Sequence, residues 1–381
     1  MNNFTYYNPT RIEFGRDKEK TIGELLANDG VKRVLLVYGT GSIKKNGLHQ
    51  RVIDSLNQSG IEYIEFGGIV SNPLLSHVYD AIDIVKSNNI NVILAVGGGS
   101  VIDSAKAIAA GAVVDTDVWD FFINKATIEK ALPVYTIVTL AAAASEMNGN
   151  SVITNEVTKQ KYSIASVLLN PKISIVNPEL MMSVTQEYLA YSAVDIIAHS
   201  IEVYFTATDH PNFQSRLVES IIKSVIETTE ILIKDPTDYD ARAEFAWASS
   251  QALNGLTSSG TGGGNFPNHM IEHALSALFN IAHGAGLAIV IPAWMKWYKN
   301  KNLAQFERFA KEVFGKSTAD EGIAALSTWF DSIGAPVSLS AGNIPRESIL
   351  DIAQNAYALG ILWGMGNDYS VQSIEDILGY A

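Results

Sequence analysis

Short β-branched runs and helical patterns alternate through the first half of the chain, at residues 34–38, 47–59, 61–64, 75–87, 91–96 and 101–110. The runs 34–38, 61–64 and 91–96 are rich in Val, Ile and Leu and too short for helices, whereas the segments between them repeat apolar residues at helical spacing. This alternation predicts a parallel sheet covered by helices, which binds ligands at the C-terminal ends of its strands. From about Thr185 the texture changes: residues 186–204, 213–233, 241–256 and 303–314 keep a helical period and strand signals vanish. The last apolar strand, 173–176, runs into Asn177-Pro178, where proline ends it. The expected organisation is an α/β domain with a parallel sheet over residues 1–182, then an all-helical domain over 183–381.

Composition supports a folded chain of two domains, since 381 residues, 47% of them hydrophobic and 18% charged, can bury a large core. Asp plus Glu number 40 against 27 Lys plus Arg, a net charge of -13, and no basic run offers a track for a phosphate backbone, so nucleic acid is not an expected partner. The opening residues 1–7 lack the basic and apolar stretches of a signal peptide, and no window reaches about 18 uninterrupted apolar residues, so the expectation is a soluble cytoplasmic protein without a membrane partner. The chain has no cysteine, which excludes disulfides, iron-sulfur clusters, thiolate catalysis and cysteine-ligated zinc. Any metal must sit on nitrogen and oxygen.

Two strands run straight into glycine loops, Gly39-Thr40-Gly41-Ser42 and Gly97-Gly98-Gly99-Ser100. Glycine lets backbone N–H groups approach a phosphate, and the helix expected from Val101 adds a positive dipole end. Neither loop is a full G-x-G-x-x-G, and either alone also reads as a tight strand-to-helix turn. Two of them on one sheet favour a dinucleotide. The first loop and the following Ile43-Lys44-Lys45 contain no acid to hold a ribose 2′-hydroxyl, which favours NADP(H) over NAD(H).

Four of the seven histidines fall in the helical half at close spacing: His199, His269, His273 and His283. Asp195 and His199 stand at i and i+4, one above the other on a helix face, where both can ligate one cation. Asp195 also interrupts the apolar run 193–198, and a carboxylate there needs a cationic partner. On one unbroken helix His269 and His283 would lie about 21 Å apart, too far to share an ion, so the helix must break between them. Asn280, Gly284 and Gly286 offer the break. One carboxylate with two or three imidazoles suits zinc (Zn2+) or ferrous iron (Fe2+). His210, beside Pro211, reads as a surface residue.

These residues resemble the iron-containing (group III) alcohol dehydrogenase family over nearly the whole chain. The resemblance is carried by Tyr7-Asn8-Pro9-Thr10 with Ile12 and Phe14-Gly15, by Gly97 through Lys106, by Ser145-Glu146-Met147-Asn148, by Asp195 with His199, and by His269 with His283 fourteen residues on. Within the family, Val37 through Gly47 and Trp247-Ala248-Ser249-Ser250 with Asn254-Gly255 are most similar to the NAD(P)H-dependent butanol dehydrogenase and broad aldehyde reductase branch. The resemblance implies an α/β nucleotide-binding domain followed by a helical metal-binding domain, a cleft between them, and a homodimer. It implies metal ligands at Asp195, His199, His269 and His283, with His273 near the nicotinamide and substrate without being a ligand. It implies a cofactor surface of Gly39, Gly41, Ser42, Asn72, Pro73, Gly97, Gly98, Gly99, Ser100, Asp103, Thr139, Leu140, Ser145 and Lys161. NAD-preferring relatives tend to carry Asp at the position of Gly39, in line with the NADP reading. The chain departs from the family at Ala143-Ala144, where Thr-Gly is common, at Phe279, where several relatives have histidine, and at Asn177, where aspartate is usual.

The chemistry expected from this set is aldehyde reduction. A divalent metal polarises the carbonyl or lowers an alcohol's pKa, the nicotinamide gives or takes hydride, and His273 relays a proton. Gly264-Asn265-Phe266, Trp247, Asn150 and Trp294 are candidates to shape the pocket for a small aldehyde or alcohol. The alternatives are a glycerol or polyol dehydrogenase of the same architecture, the related dehydroquinate synthase, disfavoured by the few basic groups in the helical half, and a non-catalytic nucleotide- and metal-binding protein.

Overall fold

The computed structural model describes residues 1–381. The chain forms two compact units, one of Tyr7–Val184 with Pro236–Ala246, the other of Met1–Tyr6, Thr185–Asp235 and Trp247–Ala381. The sequence boundary between 182 and 183 lies just before Thr185, and two short segments, at the N-terminus and at 236–246, join the unit away from their chain neighbours.

The first unit is built on six parallel strands, β1 (Arg11–Phe14), β2 (Arg33–Gly39), β3 (Glu62–Ile69), β4 (Ile93–Gly97), β5 (Val134–Val138) and β8 (Ile173–Val176), in the order β1-β8-β5-β4-β2-β3. Strands β4, β5 and β8 are buried along their whole length, which is why they read as unbroken apolar runs rather than alternating ones. Helices α1 (Ile22–Asn28), α2 (Leu48–Gln58), α3 (Leu75–Ser87) and α4 (Gly99–Gly111) follow β1, β2, β3 and β4. An antiparallel hairpin, β6 (Asn150–Asn155) with β7 (Gln160–Ala165), forms a second small sheet that sequence analysis does not anticipate. It is fastened to α4: Ser151 Oγ donates to the Asp103 carbonyl at 2.7 Å and the Val152 N–H to Asp103 Oδ2 at 3.0 Å.

Asn177, the departure from aspartate, has a local reason. Its Nδ2 donates to the buried Glu19 Oε2 at 2.9 Å while its Oδ1 accepts from the Glu179 N–H at 3.1 Å. A carboxylate at 177 would face a second buried carboxylate.

The second unit is helical throughout: α5 (Gln186–Thr206), α6 (Asn212–Lys234), α8 (Pro267–Phe279), α9 (His283–Tyr298), α10 (Leu303–Phe314), α11 (Ala319–Ser332), α12 (Ile349–Leu362) and α13 (Val371–Leu378), with α7 (Tyr239–Ala252) divided between the units. Helix α7 stops at Ala252 instead of running to 256, because Asn254 Oδ1 caps the Leu256 N–H and Gly255 takes φ 90° in a turn. Residues 194–203 of α5 are all buried, so this helix is surrounded by protein, and its charged residues are held inside the unit. No helix is long and apolar enough to cross a membrane.

Candidate metal centre and nucleotide surface

Three helices of the second unit bring the metal candidates together. Helix α5 carries Asp195, His199 and Glu202 at i, i+4 and i+7, one face of a buried helix. Helix α8, begun by Pro267, carries His269, Glu272 and His273. It ends where Asn280 takes φ 52°, the left-handed conformation that stops a helix, and α9 then starts at His283 itself. The expected break therefore rests on Asn280 alone. Gly284 and Gly286 lie inside the first turn of α9 and serve close approach: a Cβ on Gly284 would stand 2.1 Å from the Tyr191 carbonyl oxygen of α5, and one on Gly286 2.8 Å from Glu272 Cγ.

Asp195 Oδ1 lies 3.5 Å from His199 Nδ1, 3.6 Å from His269 Nε2 and 3.5 Å from His283 Nε2. Ligands about 2.1 Å from a tetrahedral ion are separated by about 3.4 Å, so each imidazole stands from Asp195 Oδ1 at the spacing of neighbouring ligands. Asp195, His199 and His269 also group together by distance, with His283 joining them through Asp195. Asp195 Oδ1 and His269 Nε2 are buried without a hydrogen-bond partner, an arrangement that is costly unless a cation meets them. Burial works against ionising Asp195, but His199, His283 and His269 outweigh it and hold the carboxyl well below the usual carboxylate range. Burial also opposes charging His269, yet Glu202 and Asp195 push its imidazole up to about 10. The cluster draws a positive charge, and its nitrogen and oxygen donors fit a borderline divalent ion.

Two carboxylates without a role in the sequence reading stand behind the imidazoles. Glu202 Oε2 is 3.2 Å from His269 Nδ1, and Glu272 is in hydrogen-bond contact with His283 Nδ1 and Ser276 Oγ. Both glutamates are fully buried. A second grouping of possible ligands, Glu272 with His273 and His283, competes on distance. The direct hydrogen bond between Glu272 and His283 argues against it, because two atoms in that contact cannot occupy separate vertices around one ion. His273 is buried, its ring centre 5.7 Å from that of His283 and 5.5 Å from that of Trp363, which meets it edge-on. The signal for both glutamates was present in the sequence: Glu202 continues the i, i+4 face of Asp195 and His199, and Glu272 sits between two histidines of the constellation.

The nucleotide candidates gather at the C-terminal ends of neighbouring strands β5, β4, β2 and β3. Gly39 closes β2, with Gly41 at φ 127° before the turn Ser42–Lys45, and Asn72-Pro73 follows β3. Helix α4 opens at Gly99, two residues earlier than expected, so Gly98 is its N-cap. A Cβ on Gly97 would overlap Val101 Cγ2 at 2.5 Å, and one on Gly98 would press Leu140 Cβ at 3.0 Å; the glycines let the β4–α4 turn close against the β5 loop. Thr139 N–H donates to the Gly97 carbonyl at 3.0 Å. Asp103 Oδ1 accepts from Ser145 Oγ at 2.6 Å, and Lys161 Nζ donates to Asn72 Oδ1 at 3.0 Å. The candidates thus lie at the C-terminal ends of these strands, with Ser100 in the first turn of α4 and Lys161 reaching Asn72 from β7. Ala144 has φ 49° where glycine is common in the family, a left-handed conformation costing an alanine on the order of 1 kcal/mol.

Other pocket candidates separate. Trp294 is wholly buried and donates to Tyr369 Oη at 3.0 Å, a core residue, whereas Trp247 is exposed. Asn150 begins β6, its carbonyl accepting from Lys106. Asn265 is pinned to Thr206, its N–H donating to Thr206 Oγ1 at 2.8 Å, and Phe266 lies edge-on to His269 at 5.8 Å. His210 is half-buried, not a surface residue, in contact with Asn302 Nδ2 at 2.8 Å.

Comparison with known proteins supplies an independent line. Residues 9–178 match the family model of iron-containing alcohol dehydrogenases, and residues 189–381 match the C-terminal model of the Fe-containing alcohol dehydrogenase family. The chain is 44% identical to a probable NADH-dependent butanol dehydrogenase of Bacillus subtilis, over 94% of this chain and 95% of that one. It is 34% identical to the NADPH-dependent aldehyde reductase YqhD of Escherichia coli, over 92% and 91% respectively. The crystal structure of NADH-dependent butanol dehydrogenase A from Thermotoga maritima superposes with a TM-score of 0.97 at 46% identity, covering 100% of this chain and 99% of that one.

Proposed function

Because the chain belongs to the iron-containing alcohol dehydrogenase family, an oxidoreductase family that uses a divalent metal and a nicotinamide cofactor on alcohols and aldehydes, we propose that it reduces small aldehydes to primary alcohols with NADPH, as a butanol dehydrogenase would. The observation that carries this reading is the convergence of three imidazoles on Asp195 Oδ1 at 3.5–3.6 Å. When bound, the metal supplies a Lewis acid and the nicotinamide a hydride. Asp195, His199, His269 and His283 would hold the ion; the first three are buried and His283, partly exposed, stands on the open side of the set. His273, beside the ligands and outside the set, relays a proton through its ring nitrogens.

The preference for NADPH rests on the surface around Gly39. Glu65 on the neighbouring β3 is engaged by Tyr38 Oη at 2.7 Å, His49 Nε2 at 3.0 Å and Lys44 Nζ at 3.5 Å. The loop itself carries no carboxylate for a ribose 2′-hydroxyl, and the exposed Lys45 beside it offers a cation for a 2′-phosphate. Relatives at 44% and 40% identity are named for NADH and one at 34% for NADPH, so the loop argues against the nearer names. The family resemblance further supports a cytoplasmic homodimer.

The test combines metal analysis with turnover. His199→Ala and His283→Ala should lose metal and activity together, whereas His273→Ala should keep stoichiometric metal and lose rate by roughly 10²-fold or more. Unchanged metal content in the first two variants would remove the assignment, and loss of metal in the third would make His273 a ligand. An aldehyde panel run with each nucleotide identifies the substrate class.

A further inference from the structure

Glu202 stands one turn beyond His199 on α5, fully buried, and its two oxygens do different things. Oε1 accepts from the backbone N–H groups of Asn268 at 2.5 Å and His269 at 3.2 Å. These belong to the first turn of α8, whose amides have no partners within the helix. Oε2 meets the ring of His269 at Nδ1, 3.2 Å away. One carboxylate therefore holds both the start of α8 and the imidazole that this start carries. Thr206, the next residue of the same face, fixes the preceding loop through Asn265. Gly264, at φ 145°, lets that loop lie against Val203, where a Cβ would come within 2.9 Å of the valine side chain. The segment entering α8 is thus set by α5, the helix that also supplies Asp195 and His199.

We infer that Glu202 is a positioning residue for the metal centre, acting through His269. By accepting from Nδ1 it fixes the ring with Nε2 toward Asp195 Oδ1, so that Nε2 is the nitrogen that gives up its proton when an ion enters, and its negative charge strengthens Nε2 as a ligand. Glu272 stands behind His283 in the same sense and reaches it from α8, while Glu202 ties the orientation of His269 to the placement of α8 itself. The inference rests on the metal-site reading above.

Glu202→Gln separates the two duties. Its amide oxygen can still accept from Asn268 and His269 N–H, but its NH2 group then faces Nδ1 and donates to it, which puts the ring proton on Nε2 and blocks coordination. With protein stripped by chelator and titrated with Zn2+ alone against a chromophoric competitor, Glu202→Gln should weaken the dissociation constant about 10–100-fold while leaving the melting temperature of the stripped protein close to wild type. Glu202→Ala should lose the same affinity and also lower the stripped protein's melting temperature, because α8 loses its anchor. Wild-type affinity in Glu202→Gln, with His199→Ala depleted of metal, overturns the inference alone. Stoichiometric metal in His199→Ala overturns the metal-site reading and the inference with it. A fall in the stripped protein's melting temperature as large for Gln as for Ala makes Glu202 a structural residue only and also overturns it.

Discussion

At Gly39 the proposed cofactor preference comes down to one missing carboxylate, and the structure makes the position testable. Its φ is not in the left-handed region, and a Cβ there would meet Ile69 O at 3.4 Å, an ordinary contact. A side chain is therefore tolerated there without distorting the turn. Gly39→Asp should depress kcat/KM with NADPH by roughly 1–3 kcal/mol of transition-state binding and spare NADH. Gly39→Asn supplies the uncharged control, and equal losses with both nucleotides in both variants would leave the loop without influence on the choice. Residue-scale chemistry was legible where it is local in sequence. Asp195 and His199 are one helical turn apart, and their pairing needs no knowledge of the rest of the chain. Glu202 and Glu272 were as close, yet their roles depend on which way two imidazoles turn, and that is decided by helices that meet only in the folded unit.

Among elements, long periodic segments were read best: the spans 75–87, 173–176 and 303–314 coincide with α3, β8 and α10. The hairpin β6–β7 escaped because its strands carry Lys161, Ser163, Asn150 and Ser151 among the apolar residues, so neither run shows the buried-strand pattern of the main sheet. Glycine was read as a helix breaker at 284 and 286, which is its commonest local meaning, but here the constraint comes from a neighbouring helix. Tyr191 lies one turn before Asp195 on α5, so the contact at Gly284 fixes how deeply the N-terminus of α9, and with it His283, seats against the metal face. Gly284→Ala places a methyl group inside the Tyr191 carbonyl and must push α9 away. The expected outcome is a loss of stability of about 1–3 kcal/mol together with weakened metal binding. A variant destabilised to that extent with wild-type metal affinity would show that His283 tolerates the displacement, contrary to a shell spaced at 3.5 Å.

For the whole molecule, composition gives a net charge of -13 but cannot say which charges are inside. The fold buries Glu19, Lys106, Glu146, Lys161, Asp195, Glu202, Glu219, Arg242 and Glu272. Lys106 is the case with a consequence for stability. It is fully buried, and its Nζ donates to Ser145 Oγ at 2.8 Å, Asn148 Oδ1 at 3.2 Å and the Asn150 carbonyl at 2.8 Å, joining α4 to the start of β6. Burial pushes its ammonium down to about 8, against the pull of Asp103 and Glu146. In the unfolded chain a lysine titrates near 10.4. Between these values the unfolded state holds a proton that the folded state has released, so the folded state gains stability as pH rises through this window. The cost of the buried charge is present in full below pH 8. The buried tyrosines Tyr38 and Tyr162 act in the opposite sense above about pH 10, because burial raises them and the unfolded chain ionises first. His269, raised to about 10, contributes with the opposite sign over much of the same window, so the Lys106 proton is read as a difference between proteins. Between about pH 8 and about pH 10 the urea midpoint of wild-type protein should change with pH more positively than that of Lys106→Met, whatever the variant's absolute stability, since only the slope reports the proton. The same slope in both proteins would mean that Lys106 titrates near its ordinary value and that its three hydrogen bonds hold a permanently charged ammonium inside the unit.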